Sequence, residues 1–250
     1  MILLKTHTPL RQSIKFCIFT LAYIAVFALI LAYTFRALYL PREHSAQASL
    51  DTSPMPRIVI DPGHGGRDGG AEGSGLIESL INLEVAYKLK ALLALADVPY
   101  LMTRDTDVLL ADEGAANAKR SDLQGRTEIA NTNPEAYFVS VHMNKFGQSR
   151  YRGLQVYYSP NNPLSQALAQ SIQLSARELL MDGNTREPKD GSNLYILKNA
   201  LSPAVIVECG FLSNPEEAAL LADEMYQRKI ALVIFKGLME QLEIQDLVVG

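Results

Sequence analysis

Residues 57–66 read RIVIDPGHGG. Arg57–Asp61 is a short apolar run, and Pro62-Gly63 stops it. A run of that length bounded by turn residues predicts a strand buried on both faces. Directly after the stop stands His64, set among Gly63, Gly65 and Gly66. Those glycines let the backbone turn sharply around the imidazole and let a substrate approach closely.

Working outward, strands and helices alternate. Leu80–Ala96 carries Leu80, Leu83, Val85, Ala86, Leu89, Leu92 and Leu93 at helical spacing, with Ser79 as the expected N-cap. Pro99–Thr103 reads as a second strand, Asp122–Asn131 as a helix and Ala136–His142 (AYFVSVH) as a third strand. Gly153–Tyr158 reads as a fourth strand and Pro163–Leu180 as a long helix. Leu194–Leu197 and Ala204–Gly210 are expected as further strands, and Pro215–Ala222 and Met225–Leu242 as closing helices. Glu243–Gly250 is expected to be a loose tail. The pattern predicts an α/β domain over residues 57–242 with three layers: a mainly parallel or mixed central sheet with helices on both faces.

A transmembrane helix is expected ahead of that domain. Phe16–Phe35 reads FCIFTLAYIAVFALILAYTF, without a charge. Roughly 20 apolar residues suffice to cross the hydrocarbon core as a helix. Lys5, Arg11 and Lys15 precede it and Arg36 and Arg42 follow it. With the amino terminus, that bias favours residues 1–15 in the cytoplasm and the rest outside. The alternative is a cleaved signal segment, for which Ala46-Gln47-Ala48 offers a small-x-small site well past the apolar run. Residues 36–56 turn polar and small, interrupted by Pro41, Pro54 and Pro56, and read as a tether. The expected location is the cell membrane, single-pass, with the folded domain on the wall side.

Composition narrows the function. The 250 residues are 48% hydrophobic with a net charge of -4, and the body has no basic block, so nucleic-acid binding lacks electrostatic support. The chain has only two cysteines and four histidines, and no Cys-x-x-Cys pair. A metal site therefore has to be built from imidazoles and carboxylates. In sheets of this kind ligands gather at the carboxyl ends of the strands. His64 follows the first strand, His142 ends the third, and Glu208 lies in the apolar strand VIVECGF. Glu78, just ahead of the first long helix, completes a His/Glu/His set with one acid to spare. Zinc takes imidazole nitrogen and carboxylate oxygen, and a catalytic site keeps one position for water. A carboxylate near the metal suits proton transfer.

Each of these residues also has a structural reading. A lone histidine at a strand end is more often a hydrogen-bonded structural group, and a glutamate near a helix start serves the helix dipole. Asp61 either orients His64 or caps the turn. Asn144 either binds substrate or closes an Asx turn. Cys209 is a candidate nucleophile with His142, or an inert apolar side chain. The glycine-rich loop lacks the Lys-Ser/Thr of a P-loop, and no G-x-S-x-G elbow is present.

IVIDPGHGGRDGGAEGSGLIESLINLEVAYKL, LMTRDTD, FVSVHMN and VIVECGFLSN occur in that order from about Arg57 to Leu242. Together they resemble the zinc-dependent N-acetylmuramoyl-L-alanine amidases of bacteria. The resemblance implies His64, Glu78 and His142 as zinc ligands and Glu208 as the catalytic carboxylate. It implies peptidoglycan as substrate, cut between the lactyl group of N-acetylmuramic acid and L-alanine. Thr106–Arg126 is longer than in compact members, and with a single anchor and no wall-binding repeats it is similar to the sporulation amidases. Those prepare muramic δ-lactam in the spore cortex. The alternatives are a non-catalytic peptidoglycan-binding module of the same fold and a wall-remodelling amidase outside sporulation. An activating protein partner is left open.

Overall fold

The computed structural model describes Phe27, Ala28 and residues 55–249. Among these, no helix is long and apolar enough to cross a membrane. Apart from Phe27 and Ala28, the expected anchor at Phe16–Phe35 lies outside the described residues, as does the expected tether at residues 36–56 apart from Met55 and Pro56. Residues 53–250 form one compact unit.

Eight strands are present: β1 (Ile58–Pro62), β2 (Glu72–Gly73), β3 (Leu76–Ile77), β4 (Tyr100–Met102), β5 (Tyr137–Asn144), β6 (Gln155–Tyr158), β7 (Lys189–Asp190) and β8 (Ala204–Phe211). Six of them form one sheet in the order β4-β1-β5-β8-β6-β7. The first four run parallel; β6 is antiparallel to β8, and β7 is parallel to β6. The sheet is thus mixed and mostly parallel. β2 and β3 form a separate hairpin.

Six helices cover the sheet: α1 (Glu78–Leu95), α2 (Ala118–Asn131), α3 (Pro163–Leu180), α4 (Tyr195–Asn199), α5 (Pro215–Ala222) and α6 (Glu224–Val249). The strands read as near-continuous apolar runs because both of their faces are covered. Ile58, Ile60, Val139, Val141, Val205 and Val207 pack on one side with Val85 and Leu89 of α1, Leu168 and Ile172 of α3, and Ile234 and Leu238 of α6. Val59, Phe138 and Ile206 point the other way, onto Ala130 of α2 and Ile196 and Leu197 of α4. Period-two alternation thus sorts each strand between a thick core and a thin one.

The helix ends follow local chemistry. Asn117, Asn162 and Asn214 cap α2, α3 and α5, each side-chain oxygen accepting from a first-turn N–H. Pro163 and Pro215 follow two of those caps, where a missing N–H costs nothing.

Three expectations need correction. Leu194–Leu197 is not a strand; it runs into α4, whose Ile196 and Leu197 plug the thin core. A four-residue apolar run does not distinguish the two states by periodicity. Ser79 is not a cap, because α1 starts one residue earlier and Ile77 stands at its N-cap with no side-chain bond. Glu243–Val249 is not loose: α6 continues through it, and Asp246 pairs with Arg57 at 2.7 Å.

Candidate metal centre

β1, β5 and β8 all end at the same edge of the sheet, and the side chains of interest project on the thin-core side. Asp61, Ser140, His142 and Glu208 share the period of Val59, Phe138 and Ile206. His142 and Glu208 are register partners. His64 lies two residues beyond β1, with a positive φ of 61°. A non-glycine residue there is uncommon, and histidine is among the types that tolerate it.

Two buried arginines hold that turn. Arg126 of α2 donates from Nη2 to the His64 carbonyl at 2.7 Å and from Nη1 to the Pro62 carbonyl at 2.8 Å. Arg104, just past β4, donates to the Pro62 carbonyl at 2.9 Å, the Gly63 carbonyl at 3.1 Å and the Ser79 carbonyl at 2.9 Å. Arg126 is itself fixed by Asp61 at 2.5 Å and Asp122 at 2.8 Å. Burial opposes the charge on Asp61, but Arg126 and the hydroxyls of Ser140 and Thr103 hold its carboxyl below its usual value. Asp61 therefore neither orients the His64 ring nor caps the turn; it anchors the arginine that does the holding.

The loop that follows folds back. Gly69 accepts from the Ser79 N–H at 3.0 Å, and the β2–β3 hairpin carries the chain into α1. Glu78, the first residue of α1, is thereby turned inward and is only 3% exposed. Its Oε2 accepts from the Ala71 N–H at 2.6 Å and its Oε1 from the Met143 N–H at 3.0 Å. The same Oε1 lies 2.9 Å from His142 Nδ1 and 3.4 Å from His64 Nε2.

One donor atom from each of His64, Glu78 and His142 falls within 4.8 Å of the others. The imidazoles meet nearly edge to face, with centroids 5.0 Å apart. Burial disfavours charge on both Glu78 and His64, yet their mutual attraction dominates. Glu78 is held well below the carboxylate range, and His64 is lifted to about 9 by Glu78 first and Asp68 second. That attraction marks a site able to take positive charge.

Two glycines test whether the residues fit a cation. A Cβ on Gly63 would lie 2.1 Å from His142 Nε2, and one on Gly70 would lie 2.5 Å from Glu78 Oε2 and 2.8 Å from His64 Cδ2. The backbone is cut back where the three side chains converge. Two imidazoles and a carboxylate converging where the backbone is kept bare match the donors of a catalytic zinc site.

Glu208 stands next to this cluster without joining it. Its Oε2 is shielded from solvent and has no hydrogen-bond partner among the described residues. Burial raises its pKa. Cys209 points to the opposite face, into the thick core, where its Sγ lies 3.6 Å from the Val207 carbonyl and burial pushes the thiol far up. It is not a nucleophile for His142. The Asn144 side chain makes no hydrogen bond among the described residues, and its carbonyl accepts from Leu212 N–H at 2.8 Å.

Sequence reasoning missed Asp68, whose Oδ2 lies 2.9 Å from His64 Nδ1 and fixes the ring with Nε2 toward Glu78. The signal was an acid four residues past the histidine within one glycine-rich turn. It also missed Asn82, which donates to the Gly63 carbonyl at 3.0 Å one helical turn after Glu78.

An α/β sheet that aims such a cluster and a spare carboxylate at one point defines a hydrolase, since the arrangement is suited to activating water. Residues 58–240 match the N-acetylmuramoyl-L-alanine amidase family (Amidase_3), and the chain belongs to it. It is an amidase of the bond between N-acetylmuramic acid and L-alanine in peptidoglycan. It is 34% identical to the germination-specific N-acetylmuramoyl-L-alanine amidase of Bacillus subtilis, over 92% of this chain and 95% of that one. Its fold is similar to CwlD amidase from Clostridioides difficile, solved in complex with the GerS lipoprotein. The TM-score is 0.71 at 36% identity, covering 75% of this chain and 98% of that one. It is also similar to amidase AmiC2 of Nostoc punctiforme, with a TM-score of 0.67 at 30% identity over 76% of this chain and 99% of that one.

Proposed function

We propose that this amidase is zinc-dependent, with His64, Glu78 and His142 as ligands and Glu208 as proton carrier. The convergence of three donor atoms within 4.8 Å, beside an unpartnered carboxylate oxygen, carries this reading. Zinc would lower the pKa of a water and polarise the lactyl carbonyl. Glu78 brings negative charge to the site, kept anionic by the two N–H groups and the imidazoles around it. Asp68 and Arg126 hold the His64 ring and backbone in place. Glu208 takes a proton from the attacking water and delivers it to the L-alanine nitrogen as the C–N bond breaks. Its buried setting keeps the proton from exchanging freely with solvent.

The substrate setting follows from the relatives. The products are a free lactyl carboxyl on muramic acid and a stem peptide with a new L-alanine amino terminus. A free lactyl carboxyl is what closure of muramic δ-lactam needs, so we assign the enzyme to spore-cortex maturation. The germination-specific Bacillus relative supports that assignment. The apolar segment Phe16–Phe35 anchors the chain in the membrane with residues 57–242 on the wall side. A lipoprotein partner is proposed by analogy with the complex of the Clostridioides amidase.

Mass spectrometry of muropeptides released by the purified protein, with and without chelator, tests the reading. New L-alanine amino termini that vanish on chelation and return with zinc are expected. Cleavage by fully metal-free protein would overturn the zinc assignment, and binding without cleavage would make the chain a wall-binding module.

A further inference from the structure

A polar cavity, of about 300 Å³, opens beside β6 and is lined by Arg152, Gly153, Asp182, Asn184 and Arg186 among others. It belongs to the same edge as Glu208. Gln155, the first residue of β6, is the register partner of Glu208, and β6 runs antiparallel to β8. Arg152 and Gly153 therefore continue past Glu208 toward the carboxyl end of β8. Glu217 of α5 ties the two segments together, accepting from the Gly153 N–H at 2.8 Å and the Phe211 N–H at 2.9 Å.

Arg186 is held ready within this cavity. Its Nε donates to the Arg152 carbonyl at 3.2 Å, and its guanidinium stacks over the Phe211 ring at 5.3 Å. No carboxylate lies within ion-pair distance of it among the described residues. Arg152 has only an exposed partner, Glu216, at 3.6 Å. Asp182 is engaged by the Asn184 N–H at 2.9 Å. Arg152 and Asp182 are thus each engaged, and Arg186 is the lining charge left without a counter-ion among the described residues. Tyr157, on the face of Glu208, is raised by burial and by Glu208 and lowered by Arg186, so both charges act on one hydroxyl.

The chemistry says which part of the substrate arrives there. Glu208 protonates the departing nitrogen, so the peptide leaves on the β8 side of the cluster. A chain extending from that nitrogen past β8 meets β6 next. We propose that Arg186, assisted by Arg152, is a specificity site for a free carboxylate of the stem peptide beyond L-alanine. A guanidinium offers paired N–H donors to a carboxylate, and stacking on an aromatic ring pre-orients it. The proposal rests on the amidase reading and on Glu208 facing the leaving peptide.

Two substrates that differ in one group test it: N-acetylmuramoyl-L-alanyl-D-glutamine, with a free α-carboxylate and no other, and the D-glutaminamide analogue, where that group is an amide too. The purified full-length protein is expected to show a KM about tenfold lower for the acid, as for one charged hydrogen bond. Arg186→Ala should erase that preference while leaving turnover of the amide substrate within about twofold of wild type. Arg186→Lys should restore part of it. Retained discrimination in Arg186→Ala overturns the proposal, and so does an equal loss on both substrates. If wild type cuts neither compound, the amidase reading is what fails. Calorimetric binding of L-alanyl-D-glutamine then decides the subsite, and equal affinity for wild type and Arg186→Ala overturns it.

Discussion

His142 and Glu208 face each other across neighbouring parallel strands, β5 and β8. The register puts an imidazole of the donor cluster and the carboxylate proposed to carry the proton side by side without either depending on a loop. One substitution therefore separates their roles. Glu208→Gln keeps the shape and removes the titratable oxygen. It is expected to retain metal at wild-type stoichiometry, measured by elemental analysis, while turnover falls about 10²-fold or more. Near wild-type turnover would remove Glu208 from the mechanism.

The ligand set makes the opposite prediction. His64→Ala should lose most bound metal. Asp68→Asn should keep all three ligands but weaken metal affinity about tenfold to a hundredfold, because the ring loses its orienting acceptor. Chelator competition measures both. Stoichiometric, tightly held metal in His64→Ala would take that residue out of the set.

Gly63→Ala adds a single methyl group. Its carbon would lie 2.1 Å from His142 Nε2, so the ring must swing away. We expect near-native circular dichroism with a large loss of metal and activity. A fully active variant would show that the ring has slack the geometry does not suggest.

Asp61→Asn probes the scaffold. Leaving Arg126 with half its buried countercharge should cost about 3 kcal/mol at neutral pH by denaturant unfolding. The sign of the pH effect follows from the lowered pKa of Asp61. Its contribution is present above the unfolded carboxylate value and is lost as pH falls through the folded value. The gap between variant and wild type should therefore narrow in acid. A gap that widened would mean the pair is not what stabilises the turn.

Thiol reagents should leave turnover untouched, because Cys209 is fully buried on the face away from His142. Chelators should abolish it. The reverse pattern would point to a cysteine hydrolase.

β1, β5 and β8 were legible because Val- and Ile-rich runs have few alternatives in a doubly covered sheet, whereas the two-residue strands β2, β3 and β7 are too short to show a period. His64, His142 and Glu208 were legible because such sheets expose function at strand ends. Glu78 was placed by counting donors and by the family resemblance, since nothing local distinguishes an inward ligand from a helix-dipole acid. Arg104 and Arg126 left no local trace. Their targets are backbone carbonyls at 62–64, about 40 and 60 residues away, and long-range bonds of that kind carry no periodicity. The α4 misreading has the same root: tertiary packing of Ile196 and Leu197, not local pattern, selected the helix.

β8, the last strand in sequence, lies inside the sheet between β5 and β6. A nascent chain that stops short of Ala204 therefore carries the histidine cluster without the acid beside it, and β5 has no neighbour on that side until β8 is made.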